Sequence, residues 1–207
     1  NRKNWLTILD KVKAGATLYV SYDQGYLSPF LEEAGIEVLS SQDRNEPASF
    51  VSNDGSMNPF CMNAVRRLNI NPIAAKVLAQ EKDGNPIFTV NNYGKGKIYF
   101  LAMPLEIETI KRPGSFTESS PEYWKIYKII SQDIRSKNRV VTEDNPFVGI
   151  TEHDLSSENK VIVLINFTPV DKEVSLNIVN GWSIEKMVYG SLPIKTSIKI
   201  RANDAAV

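Results

Sequence analysis

The chain has little of what most reactive sites require. Among 207 residues there is one cysteine, Cys61, and one histidine, His153. A single thiol excludes an intrachain disulfide framework and a multi-thiolate zinc site, and it fits a reducing compartment. One histidine and one distant cysteine do not make a zinc ligand set either, so neither a metal nor another cofactor is expected. Neither sign of charge is in excess, because Lys and Arg total 24 and Asp and Glu total 24. With no net field to hold a polyanion or an anionic bilayer, nucleic acid and membrane are not expected partners. Long hydrophobic runs are missing too. The longest, such as residues 161–165, suit a buried strand and fall far short of the roughly 20 residues of a membrane span. The chain begins at Asn1 with neither methionine nor a signal-peptide pattern, as expected of a piece cut from a longer parent.

What is present is globular material. Hydrophobic residues make up 42% and charged residues 23%, which argues for a packed core and against disorder. The length allows one large domain or two modest ones. Trp5, Leu6, Ile8, Leu9 and Val12 recur at helical spacing and predict an amphipathic helix over 3–14, stopped by Gly15. A strand over 17–21, a helix over 27–34 closed by Gly35 and a strand over 36–39 then read as β-α-β. That order predicts parallel pairing and an open doubly wound α/β sheet. Residues 41–71 turn polar, with Pro47 and Pro59 inside and Pro72 just beyond, and read as a loop-rich excursion. Regular segments return over 75–80, 86–90 and 97–101, the last two flanking a glycine-containing turn and forming a hairpin. Ser119, Ser120, Pro121 and Glu122 then signal a helix start, with Tyr123, Ile126, Tyr127, Ile130 and Ile134 on its buried face down to about residue 135.

After Lys137 the pattern changes. Strand-like runs at 148–153, 160–167, 173–178, 183–189 and 194–200 alternate with turn residues, which predicts a small antiparallel sheet or sandwich. The expected division is 1–137 for the α/β domain and 138–207 for the β-domain.

Three stretches together, GATLYVSYDQGYLSPFLEEAGIEV, DGNPIFTVNNYGKGKIYFLAMPLE and the tail from NPFVGITEHD to ANDAAV, resemble the region after the catalytic (β/α)8 barrel in β-galactosidase-type glycoside hydrolases, as in family 42. The resemblance implies a class I glutamine-amidotransferase-like (flavodoxin-like) sheet followed by a small β-domain. It also implies a non-catalytic role in assembly, with the parent's own N-terminal barrel and a homotrimer of the parent as partners. A barrel of eight β/α units takes about 250 residues, so the catalytic carboxylates are expected outside this chain.

Each reactive-looking group has a plainer reading beside it. An amidotransferase triad needs a thiolate on a sharp strand-to-helix turn and a histidine within hydrogen-bond reach. Cys61 lies in the excursion and His153 in the β-tail, so no catalytic residue is expected here. Glu152-His153-Asp154 reads as a strand end approaching a hairpin. Gly94-Lys95-Gly96-Lys97 is followed by a strand and reads as a hairpin turn, not a phosphate loop. Glu106 and Glu108, two apart and read as strand residues sharing a face, resemble an acid/base pair across a sugar, or else solvated and domain-contact carboxylates. Trp5 and Trp124 sit on helices as core or interface residues. Trp182, with Tyr189, is the candidate for sugar stacking if the β-domain binds carbohydrate. Phe50, Met57, Phe60 and Met62 either form an exposed assembly surface or fold back onto the sheet. The isolated chain is expected to self-associate weakly.

Overall fold

The computed structural model describes residues 2–23, 31–115, 117–134, 139–142, 145–190 and 196–207; within 117–134, the side chains of 133 and 134 are outside the description. The chain divides into two compact units, Asn1–Ile134 and Arg135–Val207.

The first unit contains α1 (Arg2–Lys13), β1 (Thr17–Ser21), β2 (Ile36–Asp43), β3 (Ala48–Ser52), β4 (Phe60–Met62), β5 (Arg66–Pro72), β6 (Lys76–Gln80), β7 (Pro86–Tyr93), β8 (Gly96–Leu101), α2 (Leu105–Lys111) and α3 (Trp124–Ile134). Its main sheet has six strands in the order β1-β8-β7-β6-β3-β4. Only β1 and β8 run parallel, with Tyr19 opposite Tyr99. The other neighbours are antiparallel. The doubly wound parallel sheet expected from the β-α-β reading is therefore replaced by a mixed, mostly antiparallel one.

The reason lies in β2. A central parallel strand is covered on both faces and needs a continuous apolar run. In β2 only Ile36 is buried, and the strand turns polar after Leu39. It pairs antiparallel with β5 in a separate two-stranded ribbon, with an irregularity between Val38 and Ser40 that leaves Leu39 exposed. Of the helix expected over 27–34, residues 27–30 lie outside the described residues, and 31–35 form turns instead.

The excursion is also corrected: 41–71 holds the end of β2, then β3, β4 and most of β5. Phe50, Met57, Phe60 and Met62 are all buried, so they fold back and form no exposed assembly surface. Phe50 stacks on Phe60 with ring centroids 4.9 Å apart, and Phe60 meets Tyr123 edge-on at 5.1 Å. Phe50 also lies 6.3 Å from Phe88 of β7, so aromatic packing fastens the β3–β4 hairpin to the main sheet. Isolated strand-like residues among prolines and asparagines hide this, because burial comes from distant partners.

The α1 and hairpin readings hold. Leu9 and Val12 of α1 are buried, and Trp5 packs on the same core. The β7–β8 hairpin turns through Gly94 and Lys95, with Tyr93 opposite Gly96. Its amides serve the end of α1: Lys95 N–H donates to Lys13 O at 3.0 Å and Lys97 N–H to Ala16 O at 3.3 Å. These bonds satisfy carbonyls that a helix end and the turn after it leave without partners. The crossing is so close that a Cβ on Gly96 would run into the carbonyl oxygens of Val12 and Ala16. The helix expected from 119 begins at Trp124 instead, because the hydroxyl of Ser120 donates to Thr117 O rather than capping it.

The second unit contains β9 (Val141–Thr142), β10 (Val148–Asp154), β11 (Lys160–Asn166), β12 (Lys172–Ser175), β13 (Asn177–Ile178), β14 (Ser197–Ile200) and β15 (Ala205–Ala206). They form a three-stranded sheet, β10-β11-β15, and the two-stranded sheets β12-β14 and β13-β9, all antiparallel. Their apolar faces meet around Leu164, Val174, Ile198 and Ile200. Asn166, almost fully buried, ties the strand ends together: its Nδ2 donates to Val170 O at 2.8 Å and Arg201 O at 2.9 Å, and its Oδ1 accepts from Thr168 N–H at 2.9 Å. The strand expected over 183–189 does not form, and of the run expected over 194–200 residues 194–195 lie outside the described residues.

Gly96→Ala tests the α1–hairpin crossing. The added methyl has no room against backbone, so a loss of about 1–3 kcal/mol is expected. At Gly55, where an added Cβ meets nothing within 4 Å, any cost should come only from its left-handed φ of 69°. Urea unfolding of both variants reads the difference.

Candidate functional site

Two places bring chemistry-bearing side chains together. The first lies where β1 and β8 end side by side. Glu106 stands in the first turn of α2, and its carboxylate accepts hydrogen bonds from Tyr19 of β1 at 2.8 Å, from Tyr127 of α3 at 2.7 Å and from Ser21 of β1. The two phenol rings meet edge-on at 5.9 Å. Burial first, and then the neighbouring Glu106 carboxylate, holds the Tyr19 phenol well above its ordinary value of 10.0. Tyr127 is raised for the same reasons, burial again leading, although 41% of its surface is exposed.

This overturns the view of Glu106 and Glu108 as strand neighbours on one face. They sit in a helix, where residues two apart point to nearly opposite sides. Glu108 instead pairs with Lys111 at 3.1 Å and borders a separate groove with Cys61, Met62 and Arg112. Tyr127, expected on the buried face of α3, turns outward to Glu106. With three hydroxyl donors on one carboxylate, the cluster joins β1, α2 and α3 and leaves Glu106 little capacity as a base.

The second place is a cavity of about 520 Å3 in the second unit. Its floor is the unit's apolar core, and Trp182, Ile184 and Met187 form part of the wall. Lys160 places its ammonium 5.9 Å from the centre of the Trp182 ring while pairing with Asp154 at 2.6 Å and Glu152 at 3.5 Å. Tyr189 does not border the cavity; it is exposed, and its hydroxyl donates to Asp204 at 3.0 Å.

The remaining predicted residues fall into structural positions. The Glu152 carboxylate accepts the amides of Val140 and Val141 at 3.1 Å each, and His153 Nε2 lies 3.1 Å from Thr151 Oγ1 on the exposed side of β10. Cys61 is exposed on β4, opposite Ser49, with no histidine in its unit. Trp124 lies under the ammonium groups of Lys125 and Lys128, at 5.8 and 5.6 Å. Among the described residues no group of three or more His, Cys, Asp or Glu could hold a metal ion, and no helix is long and apolar enough to cross a membrane. Sequence reasoning missed Tyr19, Ser21 and Tyr127 as partners of Glu106. The hydroxyl residues at alternate positions of β1, Tyr19 and Ser21, were the available signal, since they share one face of the strand.

No family model matches the chain, and no curated protein matches it in sequence. Solved structures do. Gan42B, a GH42 β-galactosidase from G. stearothermophilus, matches 100% of this chain with 29% of its own, at a TM-score of 0.63 and 16% identity. The β-galactosidase of Bacillus circulans sp. alkalophilus matches 96% with 30% of its own, at 0.62 and 14%. That of the Antarctic haloarchaeon Halorubrum lacusprofundi matches 96% with 28%, at 0.54 and 13%. The whole chain is similar in fold to a segment of these β-galactosidases. It spans under a third of the length of each.

The Glu106 cluster has a spectroscopic consequence. Below pH 10 both phenols are neutral in folded and unfolded chains, and the stability from their hydrogen bonds is fully present. Above it the unfolded tyrosines ionise while Tyr19 and Tyr127 resist, so stability falls as pH rises. In a titration followed by tyrosinate absorbance, these two of the 8 tyrosines should ionise only with unfolding. Glu106→Gln should bring Tyr127 back toward the ordinary value and cost about 1–3 kcal/mol in urea unfolding.

Proposed function

We propose that this chain is a non-catalytic accessory region of a β-galactosidase-like glycoside hydrolase, joined in the parent to an N-terminal catalytic barrel. The observation that carries the reading is the match of essentially the whole chain to 28–30% of several β-galactosidases, one of them a GH42 enzyme. The larger part of each relative is left over, and an eight-unit barrel of about 250 residues needs that room. The first unit is a mixed open sheet, and the nearest thing in it to a carboxylate site, Glu106, is held by three hydroxyls. Its parallel β1–β8 pair, followed at once by α2, is the part that supports an amidotransferase-like ancestry for this unit. Neither unit pairs Cys61 with a histidine. The chain alone should give no release of nitrophenol from chromogenic β-galactosides or β-glucosides above a buffer blank. Turnover that survives purification controls would end the non-catalytic reading.

Assembly is the role that remains for such a region, and we place its contact on the β2–β5 ribbon. Leu39, Val65 and Ile73 on or beside these strands are exposed apolar side chains, while Phe50, Met57, Phe60 and Met62 of the excursion are buried. Stable homomeric contacts commonly bury more than about 2,000 Å2, so a fragment with part of the surface should associate only weakly. Light scattering over a concentration series should give a mass that rises with concentration. Leu39→Asp combined with Ile73→Asp should flatten that rise. A double variant that still associates would move the contact elsewhere.

A second reading makes the β-domain a carbohydrate-binding module through Trp182 and Tyr189. In its favour, Trp182 lines the cavity. Against it, Lys160 lies over the indole and Tyr189 stands apart from the cavity, so the two rings do not line one cavity.

A further inference from the structure

The second unit has 73 residues, Arg135–Val207, yet it keeps a cavity of about 520 Å3 beside its core. Interiors of folded domains pack as densely as organic crystals, with few voids larger than one water. Cavities of about 300–1,000 Å3 with an apolar lining and a few polar groups are the usual form of small-molecule sites. The floor here consists of buried side chains, among them Leu164, Leu176 and Ile198. The charged residues of the lining balance, Glu158 and Glu185 against Lys160 and Lys186, so they offer no net field to an ion, and Ser156, Asn159 and Ser183 are neutral. Among the described residues, the buried polar atoms without a hydrogen-bond partner, Glu33 Oε2 and Thr89 Oγ1, both belong to the first unit. No buried group among the described residues of the cavity wall therefore calls for a polar ligand atom deep inside.

We propose that this cavity binds the apolar part of a neutral small molecule, an alkyl chain of medium length or a comparable aryl group, with its polar end at the charged rim. The inference goes beyond the accessory role and stands whether or not that role is correct. The occupant is apolar because a bare sugar has hydroxyls on every edge, and burying them against Leu164, Leu176 and Ile198 would strip them of hydrogen bonds. Two sources share the chemistry: the aglycone of a glycoside, or a free alcohol or lipid fragment.

The test uses the whole chain, with amide and indole resonances followed by NMR. The ligands are butyl, hexyl and octyl β-galactoside below their micelle concentrations, the corresponding free alcohols, and galactose. Resonances of Ile162, Leu176 and the Trp182 indole should shift with the alkyl compounds and stay unmoved with galactose. Each added methylene should tighten binding by up to roughly fourfold until the cavity is full. Alkyl galactosides that bind at least tenfold tighter than the alcohols identify a glycoside as the source, while equal affinities identify the free alcohol or lipid. Either result supports the apolar site. Val188, exposed at the cavity edge, can be changed with little risk to the core, and Val188→Trp should weaken octyl binding at least tenfold with the first unit's resonances unchanged. Affinity that does not depend on chain length, shifts with galactose alone, or no shift with any compound would overturn the proposal.

Discussion

The first unit depends on β8 having a partner along each edge. One edge accepts β1 in parallel and the other accepts β7 in an antiparallel hairpin. A hairpin closes locally, whereas the parallel pair must wait for everything between Ser21 and Gly96 to be placed. The intervening chain includes the β2–β5 ribbon and all the antiparallel strands of the main sheet. Once β8 is in place, its turn supplies amides to the end of α1, and the chain leaving it enters α2 within a few residues. Glu106 then reaches back to the hydroxyls of β1. A single strand thus fixes the positions of both neighbouring helices.

Carboxylates serve the same purpose at three points, Glu81 buried and Glu106 and Glu152 half-buried. Glu81 is buried with Arg44 and lies 3.5 Å from Arg67, so it joins β6 to the start and end of the excursion. Glu106 joins β1, α2 and α3, and Glu152 holds the amides at the entry to β9. A buried charge costs solvation that its partners only partly return, so its effect lies more in fixing which segments meet than in net stability. The same property makes such residues look reactive in a linear reading. In each case here the carboxylate is already engaged by partners from the fold.

The two units differ in what they leave available. The first uses its polar clusters internally and presents scattered apolar side chains on the β2–β5 ribbon. The second ties its strands with Asn166 and Glu152 and keeps an open apolar volume next to Trp182. The chain as a whole matches less than a third of each β-galactosidase it resembles in fold.

The sequence by itself determined the elements whose partners are close in the chain or whose pattern is strong. Helix α1, the β7–β8 hairpin and the β10–β11 pair were legible from periodicity and glycine placement. The likeness to family 42 enzymes was legible in stretches that include the β7–β8 hairpin and the β10–β11 pair. Tertiary structure alone decided the rest. Strand β2 carries a β-like run, but whether it joins the main sheet depends on what covers its faces, and its polar second half excludes that. Phe50 and Phe60 lie among turn residues, and only the distant rings of Phe88 and Tyr123 make them core. Glu106 became a structural anchor because β1 and α3, 85 and 21 residues away, bring their hydroxyls to it. Local pattern records backbone preference, whereas the role of a polar or apolar side chain is set by neighbours far away in the sequence, and these meet only when the sheet closes.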